Sequence, residues 1–312
     1  MTSTEPSLPT AGQQKTTEDR AATAVEPPSS IDSNASQKPS DAAAGTVIHV
    51  PRPTSLQKHL LLSAIHLVRR FRRRHGSVLM LTKGLCVKYG SRIDLVEAKS
   101  MVFIARHTSI PVPTVHFAFA YDDCTYILME RIHGQPIGID WINRPHASRQ
   151  RILEDLKDMI TEMRKLQAHL NANTICSVTG GSLYDPRLPT ITRRFGPFSD
   201  IQDFHNYLRN GMQSHADEGV SKLISMHRRH WNAPTFTHGD LSSLNILVNG
   251  DKIAGIIDWE TAGWYPSYWE YTTACQVNPH SLFWRDEIDM YLEPLPDALE
   301  MERLRQRYFG DY

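Results

Sequence analysis

Two short apolar runs, Ile246–Val248 and Ile253–Ile257, flank Asn249-Gly250 and constrain this chain more than any other feature. Asn-Gly between such runs signals a tight β-hairpin, predicted here with a type I′ turn. A hairpin returns the chain to its starting end. It therefore carries the residues before Ile246 next to the residues after Ile257. Before it stands His238-Gly239-Asp240-Leu241-Ser242-Ser243-Leu244-Asn245, and after it Asp258-Trp259-Glu260. Asp240, Asn245 and Asp258 are thus expected to converge.

Two bare carboxylates about 4 Å apart repel by roughly 4 kcal/mol at an effective dielectric near 20. A hard cation with oxygen ligands offsets that repulsion. Mg²⁺ takes one or two protein carboxylates and fills its other positions with phosphate oxygens and water. Phosphoryl transfer uses this arrangement with a further carboxylate free to receive a hydroxyl proton. The pattern predicts Asn245 and Asp258 as metal ligands and Asp240 as catalytic base. Each of the three could alone be a residue that satisfies turn backbone; only their conjunction points to chemistry.

The rest of the chain reads as a frame for that segment. Residues 1–45 are rich in Ser, Thr, Ala, Pro, Gln and Glu and lack aromatic residues. Such a stretch cannot bury enough apolar surface to offset its ordering entropy, and a disordered tail is expected. Ser55 is predicted to cap an amphipathic helix with Leu56, Leu60, Ile65, Val68 and Phe71 on its apolar face. That helix runs into Arg69, Arg70, Arg72, Arg73 and Arg74, read as a solvated helix end. Val78–Leu81 and Leu85–Val87 are predicted strands, followed by a helix bearing Leu95, Ala98, Met101, Val102 and Ala105. Val115–Tyr121 and Thr125–Glu130 are two more strands. Ile152, Leu156, Met159, Met163, Leu166 and Leu170 mark a long core helix, with another expected from about 199 to 213. The architecture is α+β: a small, shortened β-rich lobe over 46–132 and a larger helical lobe over 133–312.

Composition narrows the partners. Thirty-four basic and 34 acidic residues cancel, which argues against a nucleic-acid binder. Four scattered cysteines do not make a disulfide framework. The longest nearly apolar stretch, Leu60–Val68, is interrupted by Ser63 and His66, short of the roughly 20 residues a membrane span needs. No charged-then-apolar leader opens the sequence. A cytoplasmic protein is expected, with no nucleic-acid or membrane partner and no indication of oligomeric state.

The segment His238–Asn245 with Asp258 resembles the catalytic loop and metal-binding aspartate of the aminoglycoside phosphotransferase family, whose fold is shared with choline kinases and, more distantly, protein kinases. Gly255–Glu260 and Pro266–Tyr271 look especially like fungal members. Lys88, at a strand end, matches the family's nucleotide-phosphate lysine, and Glu97 its ion-pair partner; a solvated lysine and a surface glutamate are the bland alternatives. Tyr126–Ile132 is similar to the hinge strand beside the adenine, which makes Glu130 and Ile132 nucleotide contacts. The resemblance, over residues about 60 to 310, implies a two-lobed protein-kinase-like fold. It also implies ATP, Mg²⁺ and a small-molecule hydroxyl acceptor.

Other residues read as supports. His238 is expected to shape the loop by hydrogen bonding, and Glu270 to pack beneath it. Trp259 and Trp264 fit either a substrate wall or the core. Asp200, Asp203 and Glu260 would suit a cationic acceptor or be ordinary surface charge. One departure stands out: Gly76 is the only candidate for the glycine-rich loop that covers phosphates in kinase-like folds. That keeps open a second class of function, a non-catalytic binding module on the same fold. A protein kinase is disfavoured, because Trp259-Glu260 follows Asp258 where Phe-Gly would stand and no Ala-Pro-Glu follows.

Overall fold

Helix α1 (Ser55–Val68) opens the folded chain of this computed structural model, which describes residues 48–72, 74–168, 172–188, 193–276 and 282–310. The tail at 1–45, Arg73 and Leu170 lie outside the described residues. The cap of α1 is Thr54, one residue earlier than predicted. Its hydroxyl accepts from the Gln57 N–H, and the Gln57 side chain accepts from the Thr54 N–H. Both hydroxyls could cap, but only Thr54 has an acceptor side chain three residues on; Ser55 has Lys58 there. The predicted apolar face also needs correction. Leu61 and Ile65 are buried and Val68 half-buried, while Leu56, Leu60 and Phe71 are exposed. The step from Leu60 to Ile65 is five residues, a rotation of about 140°, so the predicted stripe joined two faces.

Strands β1 (Val78–Met80), β2 (Leu85–Gly90), β3 (Val115–Tyr121) and β4 (Cys124–Glu130) form an antiparallel sheet in the order β1-β2-β4-β3. Helix α2 (Leu95–His107) lies between β2 and β3 in the chain, capped by Asp94, which accepts from the Val96 N–H. Alternation along β2 sorts its side chains. Val87 and Tyr89 face α1; Cys86 and Lys88 face the other way, towards α2. Ala98 and Met101 of the predicted α2 face are buried, together with Phe103 and Ile104, and Ala105 is exposed.

The second half is mostly helical. Strand β5 (Gln135–Pro136) is followed by α3 (His146–Arg164), which buries Ile152, Leu156, Ile160 and Met163 and ends before Leu166. Then come β6 (Cys176–Ser177), α4 (Ile201–Leu208), α5 (Glu218–His227), β7 (Thr235–Thr237), β8 (Ile246–Asn249), β9 (Lys252–Ile256) and β10 (Gly263–Tyr265). Helix α6 (Trp269–Gln276), two short turns, α7 (Leu282–Arg285) and α8 (Ile288–Tyr291), and α9 (Pro296–Phe309) complete the described chain. Helix α4 is shorter than predicted, because Asp200 caps it and positive φ at Asn210 and Gly211 ends it. Asp200 and Asp203 therefore serve that helix start. Helix α5 was not anticipated.

The hairpin forms, with Ile246 opposite Ile256 and Asn249 opposite Lys252. Its turn is Gly250-Asp251, not Asn249-Gly250, and only Gly250 has positive φ (59°). A type I′ turn needs positive φ at both central residues, so that expectation is corrected. One large core joins α2, α3 and the hairpin through Met101, Ile104, Ile152, Leu156, Ile246 and Ile256. A second gathers Phe204, Leu223, Tyr265, Trp269 and Met301. A sheet-rich first half and a helical second half give the α+β class. Among the described residues no helix is long and apolar enough to cross a membrane.

Candidate active site

The loop between β7 and β8 is held rigid from three sides. Glu270, fully buried in the first turn of α6, accepts the N–H groups of His238 (2.6 Å) and Gly239 (3.0 Å). Thr261 Oγ1 donates to the His238 carbonyl at 2.8 Å. Gly239 has φ of +80°, and a Cβ there would lie 3.2 Å from Thr261 Oγ1 and 3.3 Å from its carbonyl oxygen. Only glycine combines that backbone with so close a neighbour. The His238 ring accepts the Asp240 N–H at Nδ1 (3.1 Å) and donates from Nε2 to the Ile257 carbonyl (3.1 Å). It thereby ties the two feet of the hairpin together. Burial pushes its pKa down to about 4, so the ring is neutral and the tautomer follows from its two partners. The supporting roles expected of His238 and Glu270 agree with this geometry.

Asn245 Nδ2 donates to both the carbonyl and Oδ2 of Asp240, each at 2.8 Å. The Ile257 N–H donates to the Asn245 carbonyl at 2.9 Å, which sets Asp258 beside Asn245. Burial pushes the Asp240 pKa up to about 6, with the Arg187 guanidinium pulling it down and the Asp258 carboxylate pushing it further up. Asp258 has φ of 67° and ψ of 60°, the left-handed region that few non-glycine residues occupy.

Lys88 is the hub of the second half of the site. Its Nζ lies 2.7 Å from Asp258 Oδ1, 2.9 Å from Glu97 Oε1 and 3.2 Å from Glu260 Oε2. Burial works against its charge, but the three carboxylates outweigh burial and hold its pKa above the ordinary lysine value. Burial raises Glu97 against the pull of Lys88, and Glu97 Oε2 is buried without a partner. The carboxylates of Glu97, Asp258 and Glu260 gather within 4.8 Å of one another. One cation among three carboxylates leaves the cluster short of positive charge.

A cavity of about 340 Å³ opens beside this cluster. Lys88, Glu97, Glu130, Ile132 and Asp258 all line it, with Val78, Met80, Met129, Leu247 and Ile257 as apolar walls. Asp240 and Asn245 stand on the adjoining loop. The Glu130 carboxylate turns away to Thr114, accepting its N–H (3.2 Å) and hydroxyl (2.8 Å). Gly76 and Ser77 border the cavity as the tip of a tight turn in which His75 and Val78 exchange two backbone hydrogen bonds of 2.9 Å. Gly76 takes φ of +56° there. That two-residue turn stands where a longer glycine-rich loop would be sought.

Sequence reasoning left Glu260 between an acceptor contact and surface charge, and it missed the Asp185–Arg187 pair. Glu260 joins the Lys88 cluster instead of standing as surface charge. Asp185 is buried and grips Arg187 with both oxygens, at 2.7 Å to Nε and 2.5 Å to Nη2. Arg187 Nη2 also donates to the Gly239 carbonyl at 2.5 Å. The sequence signal was only an Asp-x-Arg pair in a loop rich in Gly and Pro. Trp259 and Trp264 are core residues: Trp259 is fully buried with Nε1 on the Ile256 carbonyl, and Trp264 packs against Phe236.

Against known proteins, the profile of the phosphotransferase enzyme family (APH) matches residues 96–308. No curated protein matches the chain. Among solved structures the chain is similar to that of aminoglycoside phosphotransferase APH(4)-Ia, with TM-score 0.52 and 16% identity, over 78% of this chain and 88% of that one. It is similar also to the apo form of a thermostable mutant of that enzyme, with TM-score 0.52 and 14% identity, over 78% and 86%. At these identities the likeness speaks for the fold. The profile takes in Glu97, Asp240, Asn245 and Asp258 and begins after Lys88. With well over half of its length matched, and both feet of the hairpin inside the match, the chain belongs to the phosphotransferase enzyme family.

Proposed function

We propose that the protein is an ATP- and Mg²⁺-dependent phosphotransferase that moves the γ-phosphoryl group to a hydroxyl of a small molecule. The observation that carries this reading is the cavity beside Lys88, with its apolar walls and a charged floor, next to a rigid loop bearing Asp240. The donor set suits Mg²⁺. Asp258 offers carboxylate oxygens, and Asn245, whose amide nitrogen is spent on Asp240, has its Oδ1 on the other branch of the amide. When bound there, Mg²⁺ would neutralise charge on the phosphate oxygens.

The chain's own residues supply the rest. Lys88, fixed by Glu97, presents its ammonium to phosphate oxygens. The main chain of Glu130 to Ile132 borders the base. Asp240 orients the acceptor hydroxyl and takes its proton; a pKa near 6 leaves it ionised at neutral pH yet basic enough to serve. Asn245 holds one oxygen of Asp240, and His238, Glu270 and Arg187 hold its backbone, so positioning and electrostatics do most of the catalysis. We place the boundary between the lobes after Ile132, with 46–132 as the nucleotide lobe and 133–312 as the lobe that carries the loop. The pairing of β5 with β8 supports that division.

The test is an ATP-consumption screen over amino-alcohols, aminoglycosides and sugars, with Asp258→Ala as the blank. Acceptor-dependent turnover absent from the blank is the expected result. The short turn at Gly76 favours a second reading, a kinase-fold binding module. A thermal shift with ATP and Mg²⁺ separates the two: saturation at 100 times Kd adds about 2.7 kcal/mol. No acceptor turnover and no shift would replace the enzyme by the module.

A further inference from the structure

One surface has no part in phosphoryl transfer. Helix α1 packs on the sheet through Leu61 and Ile65, against Leu79, Val87 and Phe117. Its other side carries Leu56, Leu60 and Leu67, which are 69, 60 and 60% exposed, and the turn that follows carries Phe71, 81% exposed. Steps of four and seven residues along the helix set the three leucines in one stripe, and Phe71 follows Leu67 by four. Singly exposed apolar residues are ordinary on soluble proteins; a continuous row of large ones marks an interaction site.

The segment that carries the row is rich in cations. Between Asp41 and Asp94 the sequence holds ten lysines and arginines and no acidic residue. Arg69 and Arg70 reach only the ring nitrogens of His66, at 3.4 Å each. Arg72 donates to the Met80 carbonyl, and Arg74 to the carbonyls of Ser77 and Tyr89 while lying over the Tyr89 ring. Among the described residues, none of these four arginines has a carboxylate within ion-pair distance.

We infer that α1 and the arginine turn after it dock the protein on an anionic lipid bilayer. A lipid interface accepts both halves of the surface: leucine and phenylalanine at the acyl boundary, arginines among acidic headgroups. A groove that engulfs a basic helix is ruled out while α1 is packed on the sheet through Leu61 and Ile65. A second copy of the chain would bring arginine clusters together across a two-fold axis. Duplex nucleic acid would use the cations but offers nothing to the leucine row. The placement also leaves the enzyme free to work, because α1 covers the sheet face opposite Lys88. The sequence argument against a membrane partner concerned spanning segments, and this surface spans nothing.

The experiment is co-sedimentation of the full chain with phosphatidylcholine vesicles, with and without about a third of phosphatidylserine, at low salt and at about 1 M salt, where the Debye length is near 3 Å. Binding is expected to the phosphatidylserine vesicles, at least tenfold weaker to phosphatidylcholine alone, and lost at high salt. Two double variants, Arg69→Glu with Arg70→Glu and Leu67→Ser with Phe71→Ser, should each weaken binding at least about tenfold with Tm unchanged. Wild-type protein that stays in the supernatant at all lipid concentrations would overturn the inference, as would variants that bind as wild type. Without vesicle binding, a dimer abolished by the serine pair would make the row a self-interface. Duplex binding abolished by the glutamate pair would make the surface a nucleic-acid site.

Discussion

Two of the buried polar clusters among the described residues differ in kind. Around Lys88, one ammonium faces three carboxylates, and the group borders a cavity. In the helical half, His205 and His227 stack with ring centroids 4.2 Å apart. His205 bonds the His227 carbonyl at 2.9 Å and the Tyr268 hydroxyl at 2.7 Å. Burial keeps both rings uncharged, pushing His205 down to about 4 and His227 to about 2. Burial of polar groups is thus common to both. The first cluster differs by carrying surplus negative charge beside a space that a ligand can enter. The second is two neutral rings packed into a core, with the buried Arg209 guanidinium 3.4 Å from His227 Nδ1.

The sharpest way to break that comparison is to remove the hub. Lys88→Met leaves Glu97 buried with no cation, facing Asp258 and Glu260. Stripping one partner from a buried ion pair costs about 3–5 kcal/mol, and urea unfolding should show a loss of that order. A loss under about 1 kcal/mol would mean that the carboxylates shed their charge with little penalty, and the surplus-charge argument would fail.

Next in size is Asp240→Asn, which keeps the shape and removes the carboxylate proposed as base. It should lower kcat by a factor of about 100 or more, close to 2.7 kcal/mol of barrier, while Tm moves little. Near-wild-type turnover would remove Asp240 from the chemistry.

The histidine cluster gives a smaller effect with a fixed sign. The unfolded His205 ring takes a proton near pH 6.5, whereas the folded ring resists it until about 4. Its contribution is whole above about pH 6.5 and lost as pH falls from there towards 4. At pH 5.5 the penalty is about 1.4 kcal/mol. His205→Asn lacks that titration, so the gap in stability between variant and wild type should narrow by this amount between pH 7.5 and 5.5. Carboxylates that titrate in the same range are common to both proteins and cancel. Parallel pH curves would show that His205 is not held neutral by burial.

Much of this was legible in the sequence where spacing and topology coincide. Asn249-Gly250 between two apolar runs was enough to bring Asp240, Asn245 and Asp258 together, even though the turn itself lies one residue further on. The four strands of the first sheet were legible because turn residues punctuate short apolar runs. Less was visible where two patterns compete on one helix: α1 is apolar around most of its girth, and periodicity alone could not say which side meets the sheet. Arg187 was not legible as a site residue at all, and Glu260 was legible only as an acceptor contact or surface charge, not as a partner of Lys88. A two-residue Asp-x-Arg spacing looks like any loop, and only the fold brings Arg187 to the Gly239 carbonyl.

The smallest expected effect sharpens the comparison from the other side. Glu130 lines the same cavity as Lys88, yet its carboxylate is turned out to Thr114 and takes no part in the charged cluster. If surplus charge rather than proximity defines the site, Glu130→Ala should cost only its exposed hydrogen bonds, about 1 kcal/mol or less. The main chain at 130 stays in place, because the Glu130 N–H still donates to the Thr114 carbonyl and the Arg131 N–H to the Gly84 carbonyl. The KM for ATP should therefore stay within about twofold of wild type, a change below about 0.4 kcal/mol. A tenfold rise in KM with unchanged stability would show that the carboxylate swings inward when nucleotide binds. The line between the charged cluster and its neutral wall would then have to be redrawn to include Glu130.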